Sequence, residues 1–190
     1  MGKLIRRLCL GAGWLLSLPL ILITVLETAV TAGKSIRIYG QCKELLASVP
    51  TFVGDYMRSA YYWTVCKGIS GGVLFSYGSM VARKDATIQP GTVIGVHSII
   101  GHADIGRNVL ISARVSILSG KYQHGRPGEE RPEEGSFSRV AVGDNCWIGE
   151  GALVMANVGS NSVVGAGSVV YKDVPDDTTV LGNPARKVSM

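Results

Sequence analysis

The sequence predicts a chain in two parts: a helical, membrane-associating segment over residues 1–70 and an all-β domain over 71–188 that folds as a parallel β-helix. Two observations predict this division. An aliphatic residue returns every six positions through the C-terminal two thirds, and the N-terminal third contains a long apolar run without a charged side chain. The chain has 190 residues, 46% of them apolar, which is enough for one domain with its own core plus an appendage.

The six-residue period fits neither a helix nor an alternating antiparallel strand. It fits short strands that are joined at tight corners, three to a turn, with each aliphatic side chain pointing into a shared prism. Glycine follows many of these aliphatic residues and removes side chains that would collide at the corners. The sequence therefore predicts about four to five coils, on the positions Ile88, Ile94, Ile100, Ile105, Ile111, Ile117, Val142, Ile148, Val154, Val158, Val164 and Val170.

The apolar run lies between Leu8 and Leu26 and predicts a membrane helix over about residues 8–30. A helix of that length reaches about 29 Å, which is just enough to cross a hydrocarbon core. Pro19 lies inside the run and favours a bend, so a re-entrant segment and a transmembrane helix both remain open. A second, amphipathic helix is predicted over about residues 52–67. Its Tyr61, Tyr62 and Trp63 suit headgroup depth, and packing of this helix on its own domain is the alternative.

The net charge of +5 is unevenly distributed. Residues 1–84 hold ten Lys and Arg against three acids, a balance of +7, whereas residues 85–190 hold nine against eleven, a balance of −2. A nucleic-acid binder would carry its basic excess on the folded domain, so this class of function is excluded. The excess lies beside the apolar run instead, which favours anionic membrane lipids as partners.

Three motifs identify the β-domain as similar to a known family. They are Val142-Gly-Asp-Asn-Cys-Trp-Ile-Gly-Glu-Gly, the stretch from Val164 to Pro175, and the ending Gly182-Asn-Pro-Ala-Arg186. These motifs resemble the hexapeptide-repeat acyltransferase superfamily, which includes galactoside, maltose and xenobiotic acetyltransferases, and the resemblance covers residues 72–188. It implies a left-handed β-helix, a homotrimer, and acetyl-CoA as the acyl donor, with no metal.

One insertion, over residues 118–141, breaks the six-residue period with a run rich in Gly, Pro and Glu. Loops that leave a rigid scaffold commonly carry function, and this one contains His124. The resemblance implies that His124 is the general base that takes the proton of the acceptor hydroxyl. Its spacing from the last repeat is about two residues longer than in galactoside acetyltransferases. No cysteine or serine nucleophile is evident, and Cys146 is interpreted as a core residue, so direct transfer is expected.

Matching positions imply the remaining site residues. Coenzyme A is expected to contact Trp147, Gly149, Ala166, Gly167, Lys172 and Arg186, with the two cations on its phosphates. The expected acceptor-binding residues are His97, His102 and Tyr122.

The expected function is transfer of an acetyl group from coenzyme A to a hydroxyl of a sugar in a membrane-linked or exported glycan. An amino-sugar nitrogen is the alternative acceptor. Two alternatives belong to other classes: a carbonic-anhydrase-like zinc hydratase that uses His97 and His102, and a non-catalytic membrane scaffold. The expected location is the bacterial inner membrane, with the β-domain facing the cytoplasm.

Overall fold

A computed structural model describes residues 3–120 and 138–188. Three helices come first and are followed by fifteen short strands in three sheets. The helices are α1 (Lys3–Val30), α2 (Arg37–Ala47) and α3 (Thr51–Val65). The first sheet contains β3 (Thr87–Ile88), β6 (Ala103–Ile105) and β9 (Val140–Val142). The second contains β1 (Leu74–Phe75), β4 (Val93–Ile94), β7 (Leu110–Ile111), β10 (Trp147–Ile148), β12 (Val163–Val164), β14 (Thr179–Leu181) and β15 (Arg186–Lys187). The third contains β2 (Met80–Val81), β5 (Ile99–Ile100), β8 (Ser116–Ile117), β11 (Leu153–Val154) and β13 (Val169–Val170).

The strands stack in parallel register, so that the chain forms a three-sided coil. Successive coils place aliphatic side chains directly above one another: Ile94 pairs with Ile111, and Ile111 pairs with Ile148. All twelve repeat positions predicted from the sequence are buried, none with more than 2% of its surface exposed. The period-six prediction is therefore confirmed, and the aliphatic columns form the core of the prism.

The structure contains one coil that the sequence analysis did not assign. Ile69, Phe75 and Val81 continue the three columns below Ile88, Ile94 and Ile100, through a bridge and two strand pairs. An aromatic residue interrupts the aliphatic pattern there, and seven residues rather than six lead on to Ile88. The prism accordingly has five three-sided coils, with a partial sixth at Val174 and Val180.

Each corner of the prism has its own chemistry. The corners from the third sheet to the first are named the insertion edge, and its described residues are 82–86, 101–102, 118–120, 138–139, 155–157 and 171–173. The corners from the first sheet to the second form the asparagine edge, where Asn108, Asn145 and Asn161 bond in a ladder that ends at Asp177. The corners from the second sheet to the third form the glycine edge, where Gly78, Gly151 and Gly167 have positive φ.

The helices cap the first coil, and they share a core with the β-helix. Tyr39 of α2 donates to the carbonyl of Val81 at 2.7 Å, and Ser59 of α3 accepts from the amide of Phe75 at 3.1 Å. Tyr61 and Tyr62 have no exposed surface. The headgroup-depth interpretation is therefore wrong for Tyr61 and Tyr62, and α3 packs on its own domain because these two rings complete the end of the prism. Trp63 is 48% exposed, and for this residue the interpretation stays a prediction. The sequence analysis did not assign α2.

The polarity of α1 is inverted relative to a helix of a water-soluble domain. The buried residues of α1 are Gly13, Ser17, Ile21, Thr24 and Glu27, so Ile21 is the one large apolar side chain among them, and α1 makes most of its contacts with α3. Gly13 allows the close approach, because a Cβ there would lie 2.6 Å from the carbonyl oxygen of Tyr56. Thr24 bonds to the hydroxyl of Tyr61 at 2.9 Å. The outward face is apolar instead, with 56–64% of the surface of Leu15, Leu16, Leu22 and Leu26 exposed.

Within the described residues, one helix, over Arg7–Val30, is long and apolar enough to cross a membrane. The helix continues through Pro19 without interruption. Pro19 removes a single backbone hydrogen bond on the exposed side of a 28-residue helix, and it does not divide the segment into two halves.

Candidate active site

The insertion begins and ends at two residues that are hydrogen-bonded to each other, Ser119 and Ser138, and we call this pair with Gly120 the neck. The amide of Ser138 donates to the carbonyl of Ser119 at 2.9 Å, so the two ends of the insertion are bonded to each other. Gly120 has a φ of +85°, and a Cβ there would lie 2.6 Å from the Cβ of Ser138. The neck therefore requires glycine on both steric and conformational grounds. The predicted base His124 and the predicted acceptor contact Tyr122 lie outside the described residues.

His102 lies directly beside this neck. Its backbone amide donates to the Ser119 hydroxyl at 2.9 Å, and its carbonyl accepts from Val140 at 3.0 Å. Both ring nitrogens are buried, and Nε2 lies 3.2 Å from a carboxylate oxygen of Asp85 without hydrogen-bond alignment. The prediction that His102 lines the acceptor cleft stays a prediction, and the structure places this side chain on the insertion edge.

A network of charges that the sequence analysis missed surrounds His102. Arg139, in the returning strand of the insertion, donates to a carboxylate oxygen of Asp104 and to the backbone carbonyl of Asp85 at 3.0 Å. Thr87 donates to the same Asp104 oxygen at 2.6 Å. The sequence contained a signal for this network, because the charged residues occupy matching corners of successive coils. The number of residues that connect one coil to the next varies, so the sequence alone did not show that these charged residues lie above one another.

His97 lies on the glycine edge rather than on the insertion edge. It is exposed, adopts a φ of 55°, and its ring packs edge-on against Tyr77 at 5.1 Å. His97 and His102 therefore occupy different corners of the prism, and the two-histidine pair of the zinc alternative is not formed. Over residues 3–120 and 138–188, no three His, Cys, Asp or Glu side chains cluster in a way that could hold a metal ion.

Four of the predicted coenzyme A residues lie close together. Gly149, Ala166 and Gly167 are on the glycine edge, and Trp147 projects from the second sheet beside it. Trp147 is 52% exposed and donates from Nε1 to the Ser112 hydroxyl at 3.1 Å. Gly167 has open space where a Cβ would be, whereas a Cβ on the buried Gly149 would lie 2.5 Å from the amide nitrogen of Ala166. Gly149 thus permits the stacking of two coils.

The two predicted phosphate-binding cations lie apart from each other. Lys172 is exposed on the insertion edge, with its ammonium 5.7 Å from the ring of Tyr171. Arg186 is exposed in β15, beside the last strand of the second sheet. Within one chain, the residues predicted to bind coenzyme A are therefore separated: Lys172 lies on the insertion edge, whereas Gly149 and Gly167 lie on the glycine edge.

Residues 139–172 match the sequence profile of the hexapeptide repeat of succinyl-transferase. Among curated proteins, the chain is similar to the chloroplastic serine acetyltransferase 1 of Arabidopsis thaliana, with 40% identity over 109 residues. That match covers 53% of this chain and 32% of the relative, so the chain spans about a third of the relative's length.

Two solved structures share the fold over most of both chains. A maltose O-acetyltransferase from Clostridium difficile 630 superimposes with a TM-score of 0.56 and 25% identity, covering 80% of this chain and 84% of that one. In its repeat and its fold, the β-helix of this protein is similar to the hexapeptide-repeat acyltransferases. A galactoside acetyltransferase in complex with coenzyme A gives a TM-score of 0.60 at 21% identity, covering 80% and 79%. The fold shared with these two structures is a left-handed β-helix, and this part of the sequence-based prediction is confirmed.

Cys146, which lies next to Trp147 in the chain, is buried. It is part of the corner before β10, and its Sγ donates to the carbonyl of Gly159 at 3.0 Å. Burial raises the pKa of the Cys146 thiol, which disfavours the thiolate that a nucleophile needs. A direct transfer without an acyl-enzyme at this cysteine is consistent with that position.

Proposed function

We propose that the protein is a coenzyme A-dependent acyltransferase that moves an acetyl group onto a hydroxyl of a sugar in a membrane-linked or exported glycan. The observation that carries the proposal is the insertion itself. The coil is regular on both sides of residues 121–137, and the segment with His124 leaves from a bonded neck beside a charged network. The coenzyme A in the structure of the similar galactoside acetyltransferase supports the choice of donor.

The proposed step needs one base and no covalent enzyme intermediate. The acceptor hydroxyl oxygen attacks the thioester carbonyl carbon while the imidazole of His124 takes the hydroxyl proton. The carbon–sulfur bond then breaks, and the sulfur leaves as coenzyme A thiol after it receives that proton from the imidazolium. Positioned hydrogen-bond donors would stabilise the oxyanion between these two events.

A trimer would bring the separated donor residues together. The outer row of the second sheet is apolar over successive coils, because Leu74, Val93, Leu110, Trp147 and Val163 are register neighbours. Leu110 and Trp147 are about half exposed in the single chain. An exposed apolar row of this kind is typical of a subunit contact. We propose that it packs against the next subunit of a homotrimer, where the insertion edge of one chain faces the glycine edge of another.

The inverted polarity of α1 supports contact with lipid. A helix that buries small and polar residues and exposes leucines is stabilised in a bilayer, where apolar side chains face the acyl chains and small residues allow close helix packing. Because α1 packs along α3, and α3 packs into the β-helix, α1 does not stand free to cross a bilayer alone. We propose that α1 lies in one leaflet and keeps the β-helix on the cytoplasmic side of the inner membrane.

Thioester consumption tests the proposed function. The detergent-solubilised protein, mixed with acetyl-CoA and a bacterial membrane extract, is expected to release coenzyme A thiol and to add an acetyl mass to a glycan. Retention on a coenzyme A column is expected as well. Failure of both retention and release would favour the scaffold alternative, and acetylation of an amine would favour the amino-sugar acceptor.

The lipid contact of α1 has its own test. Changing Leu22 and Leu26 together to Lys places two charges on the outward face, so we expect the protein to move from the membrane pellet to the soluble fraction. The single change Leu181→Lys, at a residue that is about half exposed at the far end of the β-helix, serves as the control and should leave the protein in the pellet. Continued pelleting of the double variant would contradict the lipid contact.

A further inference from the structure

A basic cleft of about 910 Å³ lies where α1 and α3 end against the first coil of the β-helix. Four cations line it: Lys34 after α1, Lys67 after α3, and Arg83 and Lys84 in the first corner of the insertion edge. Neither the coenzyme A residues nor the insertion neck belongs to its lining. The proposed acetyl transfer therefore leaves this cleft without a role.

The positive charge of the cleft is only partly balanced. Its one acidic lining residue, Asp85, is shared between Arg83 at 3.7 Å and Arg139 at 3.8 Å. Lys84 donates to the hydroxyl of Thr28 at 2.6 Å, and its charge helps to lower the pKa of the nearby Glu27 carboxyl, so Lys84 is partly balanced as well. Over the described ranges, no carboxylate lies within 4.0 Å of Lys34 or Lys67, and both side chains are exposed. Like charges held in a concave surface attract an anion, and phosphate oxygens are strong acceptors for lysine and arginine.

An apolar surface adjoins the cations on the membrane side. Ile36 lines the cleft and is 51% exposed, and Val30, the last residue of α1, is 76% exposed. A shallower cleft of about 740 Å³ shares Lys34 and Ile36 and adds Arg37. Cations and exposed aliphatic side chains in one place suit a ligand that carries an anionic head and a hydrocarbon chain.

The coil connects this cleft to the proposed active site. The corner with Asp85 lies one coil below the corner with His102, which lies one coil below the neck at Ser119. Strands stack about 4.8 Å apart, so the cleft is about 10 Å from the neck along the same edge. The contact between Asp85 and His102 and the bond from His102 to Ser119 join the three corners.

We propose that the cleft binds the anionic phosphate headgroup of a lipid, with the phosphate on Lys34, Lys67, Arg83 and Lys84 and the hydrocarbon chain along Ile36 and the outward face of α1. The acceptor of the transfer is then a glycan carried on a lipid phosphate, and this second statement rests on the proposed function. The bound phosphate fixes one end of the acceptor and places the attached sugar along the insertion edge.

Binding of a fluorescent phosphatidic acid to the full chain in non-ionic detergent tests the cleft. The mixture contains no coenzyme A, so its outcome is independent of acetyl transfer. We expect the Lys34→Gln/Lys67→Gln variant to bind the probe at least tenfold more weakly. The control Arg107→Gln/Lys187→Gln removes the same charge from exposed positions far from the cleft and should bind within twofold of the unchanged chain. Matching unfolding temperatures will show that both variants are folded.

Two further arms identify the source of the phosphate. A phosphatidylcholine probe, which has no net charge, should bind at least tenfold more weakly than phosphatidic acid, and inorganic phosphate should displace the probe only at a large molar excess. Equal probe binding by the unchanged chain and the cleft variant would overturn the site. Displacement by an equimolar amount of inorganic phosphate would overturn its assignment to a lipid.

Discussion

Changing His124 to alanine is expected to lower the rate of thioester-dependent transfer by about 10²–10⁴-fold, which is the usual contribution of a general base. The acceptor hydroxyl is a weak nucleophile until its proton is removed, and imidazole is the side chain suited to that task near neutral pH. The rate is measured as thiol release with saturating acetyl-CoA and a membrane extract. Retention on a coenzyme A column should persist, because the change removes the base and leaves the donor residues.

The neighbouring Gln123→Ala variant controls for disturbance of the insertion and should keep its rate within about threefold, because it leaves the imidazole of His124 in place. The pH profile gives a second readout. With the unchanged chain, the rate should fall as the pH drops below about 6.5, where an ordinary imidazole becomes protonated. With alanine at 124 that fall should disappear. Unchanged turnover in His124→Ala would reject this residue as the base.

Changing Arg58 to methionine is expected to lower the free energy of unfolding by about 3–5 kcal/mol, because three backbone carbonyl oxygens lose their hydrogen-bond donor together. Arg58 has no exposed surface. Its Nη1 donates to the carbonyls of Leu46 at 2.7 Å and Val49 at 2.8 Å, and its Nε donates to Phe75 at 3.2 Å. Burial lowers the pKa of Arg58, and the charge pair with Asp55 opposes that effect.

This loss should be visible as a lower unfolding temperature of the detergent-solubilised protein, followed by circular dichroism. One guanidinium joins the end of α2, the start of α3 and the first β-strand, so three carbonyl oxygens lose their donor at once. The control Asp55→Asn changes the partly exposed end of the pair and should cost far less. A decrease below about 1 kcal/mol for Arg58→Met would show that water replaces the guanidinium.

The β-helix was predictable because its core depends on one repeated requirement. Each aliphatic side chain must fit between the chains above and below it, so Ile94, Ile111 and Ile148 had to recur at the same point of every coil. The first coil was missed because Phe75 satisfies the same requirement with a different side chain. The packing of α3 on the first coil was not predicted, because tyrosines such as Tyr61 and Tyr62 suit a membrane interface and the end of a prism equally well.

The candidate site was only partly predictable. The break in the period located the insertion, and the motifs located Trp147 and Gly167. The network of Asp85, His102 and Arg139 was not evident, since the steps between coils are seven, five and four residues and hide which corners coincide. The six-residue period predicts whether a side chain points into the prism or out of it. The register in which the strands pair is also needed to predict which outward-pointing side chains contact each other.

The two ends of the coil decide how copies of this protein can join. A stack of parallel strands ends in unpaired amides and carbonyls, which are natural templates for another chain. Here the lower end is closed by Tyr39 and Ser59, which bond to the backbone of the first coil. At the upper end β15 turns back and pairs antiparallel with β14 through Val180 and Leu181. Growth into fibres is thereby blocked along the prism axis, and assembly is directed sideways.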